Sequence, residues 1–257
     1  MKVNNYLCFF IDILGYSRRI KDLSIIKLNE EVNYFKTYVG KENTYLKKLS
    51  HVLNFDLKTF SDNIFISIPY SKKTSENLSL IFSHIIDYQK YLIGKTYFLR
   101  GGVSYGKLYI DNETIFGPAL VESVETEKNT IYPFIGISQS VLKLFNESRS
   151  KKLNSVPIIK IKDEQYFLDY LSTVYHVEQN PPSPSNFLSE HKKLLEYNLS
   201  NISENSILAK FVMLVKYHNC FCYNYQDKIP NSKLYFIKSV DIDSSFKFDS
   251  KYLEVKY

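Results

Sequence analysis

The chain of 257 residues contains three cysteines and no tryptophan, and its apolar residues form no long run. Cys8, Cys220 and Cys222 are too few for a disulfide framework, and their spacing does not supply the four ligands of a structural zinc site. Buried thiols are expected, with a partial metal cluster that includes His218 as the alternative. No apolar run approaches the ~20 residues of a membrane span, and the first residues lack a signal-peptide core. We therefore expect a cytoplasmic protein that does not bind a membrane.

Long basic runs are absent as well. The net charge is +6, but the lysines and arginines are scattered, and no group of them resembles a nucleic-acid-binding arm. The apolar share of 44% and the charged share of 23% are ordinary for a globular protein. This balance argues against a nucleic-acid partner and favours a small anionic ligand.

The most informative stretch is residues 9–17, with the sequence FFIDILGYS. Its first six residues are apolar except for Asp12, which predicts a buried strand that runs into a turn at Gly15. A helix is expected to begin near Arg18, with Ser17 as its N-terminal cap. A carboxylate in a buried strand is costly unless it is paired, and a metal ion would supply that partner.

The same turn offers a place for phosphate. The backbone amides of Leu14, Gly15 and Tyr16 lie at the expected start of the helix, where N–H groups receive phosphate oxygens.

A second carboxylate follows in a hairpin. Residues 52–60 and 63–69 alternate in the manner of strands, and Ser61, Asp62 and Asn63 between them are typical turn residues. Taken alone, Asp12 is a capping residue and Asp62 is a turn residue. If the two carboxylates meet, they form a site for cations.

The remaining pattern predicts an α+β fold of the ferredoxin-like type. The order is strand, helix, hairpin, helix, strand, helix, strand. The first predicted helix covers 16–38, where the apolar residues that roughly follow helical spacing are Ile20, Leu23, Ile26, Leu28, Val32 and Phe35. The hairpin follows, and then a helix over 74–94 whose inner side is formed by Leu78, Ile81, Phe82, Ile85, Ile86 and Tyr88. The last predicted elements are a strand over 96–106 with 107–110 as its hairpin continuation, a helix over 116–126 and a strand over 131–137.

Two regions are expected. Residues 1–150 form the α+β domain, and residues 151–257 form a mostly helical extension that packs on its core. The extension contains a proline-rich loop near 180–185, helices at about 186–199 and 204–223, and a strand over 234–242.

Four motifs occur in a fixed order: FIDILGYS at 10–17, FSD at 60–62, RGGVSYG at 100–106, and Phe116-Gly117 at a helix start. Together they resemble the class III nucleotide cyclase catalytic domain over about residues 5–145. They are most similar to the stand-alone pyrimidine cyclases of bacterial Pycsar antiphage systems, and residues 209–219 also look like that branch. The resemblance implies a ferredoxin-like cyclase sandwich as the fold and residues 1–150 as the catalytic domain.

The resemblance implies that Asp12 and Asp62 hold two divalent cations, Mg²⁺ or Mn²⁺, with the Ile13 carbonyl as a further ligand. Both ions suit oxygen ligands. Two are needed because the ribose 3′-hydroxyl must be activated while the triphosphate and its leaving group are neutralised.

The resemblance also assigns substrate contacts. Arg100 matches the strand arginine that reaches the triphosphate, for which a planar guanidinium is suited, and its alternative is a surface ion pair. Lys58 and Thr114 match the positions that read a purine base in this family. A solvated strand lysine is the alternative for Lys58.

Two departures from the family pattern stand out. Where most members have an asparagine and an arginine that stabilise the transition state, this chain has Val121 and Glu125. Either another cation replaces them or catalysis is weak. The candidates nearest in sequence to the motifs are Arg18, Arg19 and Lys107. The third departure, Ser61 in place of the usual glycine, is mild.

The implied function is synthesis of a 3′,5′-cyclic pyrimidine nucleotide, from UTP in preference to CTP, as a second messenger in antiphage defence. The implied assembly is a homodimer with composite active sites, and a separate effector reads the product. Two alternatives stay open. One is an adenylate cyclase, favoured by Lys58 and Thr114. The other is an inactive nucleotide-binding module, favoured by Val121 and Glu125.

Overall fold

The structure is a computed structural model that describes residues 2–41, 43–147, 156–161, 165–172, 184–229 and 231–238. The strands are β1 Asn4–Ile13, β2 Asp56–Phe60, β3 Asn63–Pro69, β4 Leu99–Ile110, β5 Ile115–Phe116, β6 Ile135–Ile137, β7 Ile158–Ile161 and β8 Gln165–Leu168. The helices are α1 Tyr16–Lys21, α2 Ile25–Val39, α3 Thr44–Val52, α4 Lys72–Glu76, α5 Leu78–Gly94, α6 Pro118–Asn129, α7 Gln139–Glu147, α8 Pro184–Asn201 and α9 Asn205–Asn224.

The strands form one sheet in the order β2-β3-β1-β4-β6-β8-β7, with β5 paired to β4. Strand β1 lies between β3 and β4 and is antiparallel to both, and β2 is antiparallel to β3. This is the order of a ferredoxin-like β-α-β-β-α-β unit, so the predicted α+β fold is confirmed. Strand β6 then adds parallel to β4, and the β7–β8 hairpin extends the sheet further.

The single helix predicted over 16–38 is wrong. Three helices, α1, α2 and α3, occupy residues 16–52, because Ser24 caps α2 and Asn43 caps α3. Residue 52, expected in a strand, ends α3. The apolar positions at helical spacing do not share one surrounding in α2, since Ile26 is 73% exposed and Leu28 is 41% exposed, whereas Phe35 packs against the core. Apolar spacing alone did not identify the buried face.

Helix α5 has the inner side that its spacing predicts. The predicted inner residues Leu78, Ile81, Phe82, Ile85, Ile86 and Tyr88 are all buried. Phe82 contacts Phe9 of β1 edge to face at 5.7 Å, so α5 covers the face of the sheet that β1 presents. Helix α4 precedes it as a separate short helix.

Strand β4 is one continuous strand, so the turn expected near 107 is wrong. Its hairpin partner is β5, and the turn is closed by Asp111, which accepts hydrogen bonds from the backbone N–H groups of Glu113 and Thr114 at 2.9 and 2.7 Å. At the other end of β4, a side chain on Gly102 would meet the backbone of α6, within 2.7 Å of the Glu127 nitrogen. Glycine there lets α6 approach the sheet closely.

The C-terminal helices α8 and α9 agree with the prediction, and they pack beside the first 150 residues. The Phe98 ring contacts Phe211 of α9 at 5.1 Å, and Phe134 contacts Tyr217 of α9 at the same distance. One hydrophobic core therefore continues from the sheet into these helices. The division at residue 150 stays a prediction.

Two expectations for the end of the chain do not match the structure. Residues 232–234 form a 3-10 helix and residues 235–238 form no strand, so the strand predicted from 234 does not begin there. Residues 180–183 of the proline-rich loop, and residues 239–242, lie outside the described ranges. Over the residues that the structure covers, no helix has the length and apolar character to cross a bilayer.

Candidate active site

Asp12 and Asp62 lie at the same corner of the sheet. Asp12 is opposite Asn63 of β3 and opposite Arg100 of β4, and the N–H of Ile13 donates to the Asp62 carbonyl oxygen at 3.0 Å. The hairpin turn that carries Asp62 is therefore bonded to the end of β1. The structure brings together the two carboxylates that the sequence singled out.

Arg100 is held between two carboxylates at this corner. Its Nη2 lies 3.3 Å from Asp12 Oδ2 and also forms an ion pair with Glu127 Oε1. The Glu127 contact is an ion pair without hydrogen-bond geometry, and Arg100 Nε has no hydrogen-bond partner among the described residues. A buried guanidinium N–H without a partner is the type of group that an anionic ligand satisfies.

Glu127 is a site residue that the sequence analysis missed. It lies on α6, where Ala119, Ser123 and Glu127 form the buried face, and its exposed fraction is 5%. The surrounding sequence, ETEKN, resembles a solvated helix end. The available signal was the pair of small residues four apart, Ala119 and Ser123, which indicates the side of the helix that packs closely on a neighbour. Here that neighbour is β4 at Gly102.

The corner carries more negative than positive charge. The pKa of Asp12 is raised to about 6, mainly by burial. Arg100 lowers this pKa, and the nearby carboxylates of Asp62 and Glu127 contribute to raising it. Lys210 of α9 also acts to lower the pKa of Asp12, so its ammonium group is within electrostatic reach of this corner.

The donor set suits a hard divalent cation. Two carboxylates supply oxygen ligands, and the raised pKa of Asp12 indicates an environment in which an added cation stabilises the ionised form. Asp62 accepts hydrogen bonds from Ser17 Oγ at 3.1 Å and Asn63 Nδ2 at 3.3 Å, which orient its carboxylate. No cluster of three or more His, Cys, Asp or Glu side chains that could hold a metal occurs in the described part of the chain, and this includes the region of Cys220 and Cys222.

The turn after β1 differs in part from the expectation. Helix α1 begins at Tyr16 with Gly15 at the cap position, where φ is +74°, a value that favours glycine. Ser17 is therefore not the cap, and its hydroxyl serves Asp62 instead. The Leu14 N–H donates to the Phe98 carbonyl at 2.8 Å, so this amide already has a partner.

Lys58 and Thr114 lie in one neighbourhood, at a different place from the carboxylate corner. Lys58 Nζ donates to the Asn112 carbonyl at 3.0 Å, in the turn that ends at Thr114. Two large apolar side chains nearby in sequence are exposed, Phe60 at 72% and Phe116 at 75%.

The candidates for a replacement cation, Arg18, Arg19 and Lys107, differ in their surroundings. Arg19 is held by Glu31 at 3.0 Å and lies over the Tyr97 ring at 4.8 Å, so it has a structural role. Lys107 is opposite Asn5, seven residues along β4 from Arg100, which is roughly 23 Å away at the rise of a strand. The side chain of Arg18 lies outside the described part of the structure. Val121 and Glu125 of α6 are both exposed.

Comparison with known proteins gives a limited set of matches. No family model matches the chain. The chain is 28% identical over 213 residues to the subtilisin-like protease PIMMS2 of Plasmodium berghei (strain Anka), a match that covers 79% of this chain and 22% of that protein. The chain thus spans about a fifth of the length of this curated relative.

Three solved structures are similar in part. The guanylyl cyclase Cya2 gives a TM-score of 0.46 at 12% identity, covering 65% of this chain and 91% of that chain. The adenylate/guanylate cyclase/hydrolase from Silicibacter pomeroyi gives 0.43 at 13% identity, covering 66% and 99%. The catalytic core of a rhodopsin-guanylyl cyclase with converted specificity, in complex with ATPalphaS, gives 0.42 at 13% identity, covering 65% and 95%.

Proposed function

We propose that the chain is a metal-dependent nucleotidyl cyclase that converts a pyrimidine nucleoside triphosphate, UTP in preference to CTP, to its 3′,5′-cyclic monophosphate and pyrophosphate. The observation that carries the proposal is the corner at which Asp12, Asp62 and Arg100 meet. Two carboxylates for cations beside an arginine with an unpaired N–H are the groups that a triphosphate requires.

The reaction forms a bond between the ribose 3′-oxygen and the α-phosphorus and breaks the bond from that phosphorus to the pyrophosphate oxygen. Divalent cations held by Asp12, Asp62 and the Ile13 carbonyl would acidify the 3′-hydroxyl and neutralise the triphosphate. Arg100 binds a phosphate oxygen through the exposed part of its guanidinium, while Glu127 holds the side chain in place. The backbone of Leu14, Gly15 and Tyr16 lines the phosphate side of the site, although the Leu14 N–H already donates a hydrogen bond to the Phe98 carbonyl.

The pyrimidine substrate and the antiphage role rest on the resemblance of the motifs to the Pycsar cyclases. In this proposal the product is read by a separate effector, residues 1–150 are the catalytic domain, and residues 151–257 are an extension packed on it.

A homodimer with composite sites is part of the proposal. The exposed Phe60 and Phe116 lie close in sequence to Lys58 and Thr114, the residues that would read the base of a nucleotide held by the partner's carboxylates. Apolar side chains of this size at the surface suit an interface between protomers. Replacement of Phe116 by aspartate is expected to give monomers in light-scattering chromatography and to abolish turnover, because each site then lacks one half.

An adenylate cyclase is the second candidate. The observation that favours it is the placement of Lys58 beside the turn that ends at Thr114, since these are the residue types that read adenine in the family. An inactive nucleotide-binding module is the third, favoured by the exposed Val121 and Glu125 on α6, where catalytic members carry an asparagine and an arginine.

The buried histidines do not favour a serine protease. His191 bonds to Tyr170 and His218, and His218 bonds to the Tyr235 carbonyl. A catalytic histidine must instead contact a serine hydroxyl.

The test is a product assay with four substrates. The protein is incubated with Mn²⁺ and ATP, GTP, CTP or UTP separately, and products are identified by mass spectrometry. A cyclic pyrimidine nucleotide that is absent with Asp62→Ala supports the proposal, and cyclic AMP selects the second candidate. Nucleotide binding without any product, also in the presence of phage extract, selects the third. Full activity of Asp62→Ala or Asp12→Ala contradicts the metal assignment.

A further inference from the structure

The carboxylate corner has one described arginine against three carboxylates. Arg100 forms ion pairs with Asp12 and Glu127, and Asp62 lies near Asp12, while α6 supplies no additional cation at its exposed positions Val121 and Glu125. A nucleoside triphosphate adds further negative charge, so its binding requires more positive charge than one guanidinium.

Lys210 lies on the buried face of helix α9. Positions 210, 214, 217 and 221 share one side of a helix, and Leu214, Tyr217 and Phe221 are buried, with exposed fractions of 0, 1 and 4%. Lys210 itself is partly buried. Helical side chains lean toward the N-terminus, so its ammonium group extends toward the start of α9.

The start of α9 lies beside the turn after β1. Phe211, the next residue after Lys210, packs its ring edge to face on Phe98 at 5.1 Å. The Phe98 carbonyl accepts the Leu14 N–H at 2.8 Å, and Arg100 follows two residues after Phe98. The ring contact therefore places the start of α9, and Lys210 with it, near the end of β1 that carries Asp12.

We propose that Lys210 binds the triphosphate beside Arg100 and replaces the cation that α6 does not provide. This inference rests on the proposed function and extends it, because it makes the C-terminal extension a part of the active site.

The experiment measures binding of inorganic tripolyphosphate with Mn²⁺ to the full chain by calorimetry. Four proteins are compared: the natural sequence, Lys210→Met, Lys210→Arg and Lys193→Met. Lys193 is an exposed lysine of α8 in the same extension and serves as the control for the loss of one charge. Lys210→Met is expected to bind about tenfold more weakly or worse, as for loss of a charge-assisted contact, while the other two variants retain affinity.

The inference is overturned if Lys210→Met binds tripolyphosphate as tightly as the natural protein. It is also overturned if Lys210→Met both lowers the melting temperature and weakens binding while Lys210→Arg fails to restore binding, since this would be a packing role. If the natural protein binds tripolyphosphate through Lys210 but forms no cyclic nucleotide, the inference stands and the cyclase proposal fails. If it does not bind tripolyphosphate, both fail.

Discussion

The Nδ1 atoms of His191 and His218 lie 3.0 Å apart between helices α8 and α9, and this contact fixes the protonation of both rings. His218 Nε2 is 2.9 Å from the Tyr235 carbonyl, so it carries the proton and its Nδ1 accepts. His191 must then donate from Nδ1, and its Nε2 accepts from the Tyr170 hydroxyl at 3.0 Å. Both rings are neutral, because burial disfavours a charged imidazole and a proton added to His218 Nδ1 would break its bond to His191.

The histidine pair predicts a loss of stability in acid. Burial lowers the pKa of His218 to about 4, with Lys192 acting in the same direction, and burial lowers the pKa of His191 well below its usual value. The unfolded chain binds these protons first, so the contribution is complete above pH 6.5 and is lost as the pH falls toward 4. For His218 the loss is about 3 kcal/mol, measured by urea unfolding at several pH values.

A matched comparison isolates the histidines, because the carboxyls of Asp12 and Asp169 have raised pKa values and act in the opposite direction. The double variant His191→Gln, His218→Gln should show a smaller fall in stability between pH 6.5 and 4 than the natural protein. His51→Gln, at an exposed position of α3, should show the same fall in stability as the natural protein. Equal pH dependence in the double variant would refute the assignment.

Elements with strong periodicity could be predicted from the sequence. The end of β1, strand β3 of the hairpin and the inner face of α5 follow clear apolar patterns, and their apolar residues are buried. The residue pattern left open whether Asp12 and Asp62 meet, and their meeting was expected only from the resemblance to the cyclase motifs.

The rest depends on tertiary contacts. Ile25 and Ile26 of α2 are exposed at 81% and 73%, although the apolar residues of this segment recur roughly at the spacing of a core helix. The pairing of Glu127 with Arg100 could not be predicted from the sequence, because Arg100 lies 27 residues away and on a strand. Lys210 lies more than a hundred residues further along the chain than Arg100, and only the packing of Phe211 on Phe98 places it near the site.

The close approach of α6 to β4 predicts a large effect of one methyl group. A side chain on Gly102 would lie 2.7 Å from the Glu127 nitrogen and would also contact the Ser123 carbonyl, both backbone atoms that cannot move aside. Gly102→Ala should lower the free energy of unfolding by about 1–3 kcal/mol. Gly94→Ala, where nothing lies within 4 Å, should be neutral or slightly stabilising in the same urea titration.

Arg100 is expected to stabilise the fold. Removal of its charge leaves the carboxylates of Asp12 and Glu127 together in a partly buried place. Arg100→Met should lower stability by about 2–4 kcal/mol, below the range for a fully buried pair because its side chain is 24% exposed. Arg19→Met, whose arginine side chain is 40% exposed, should cost about 1 kcal/mol.

The double variant tests the reason for this loss. Adding Glu127→Gln to Arg100→Met removes one of the two carboxylates, so stability should partly return. A double variant that is less stable than Arg100→Met would mean that packing, and not charge, determines the effect.

Asp12 is expected to oppose folding when no metal is bound. Burial and the neighbouring carboxylates raise its pKa from 3.8 to about 6, so the ionised form costs stability above pH 6 and the cost disappears below pH 4. Asp12→Asn keeps the shape of the side chain without its charge. At pH 8 with a chelator it should raise the free energy of unfolding by about 1–2 kcal/mol, reduced from the full shift because the side chain is 20% exposed.

The same variant should lose the response to metal. Mn²⁺ is expected to raise the melting temperature of the natural protein, because binding to the folded state alone stabilises it, and to have no such effect on Asp12→Asn. Asp227→Asn, at an exposed position after α9, should match the natural protein with and without Mn²⁺. An Asp12→Asn protein that is less stable than the natural one in chelator would show that Asp12 is retained for its bond to Arg100. Gained stability together with a lost metal response would mean that the carboxylate is kept, at a cost to the fold, for a cation.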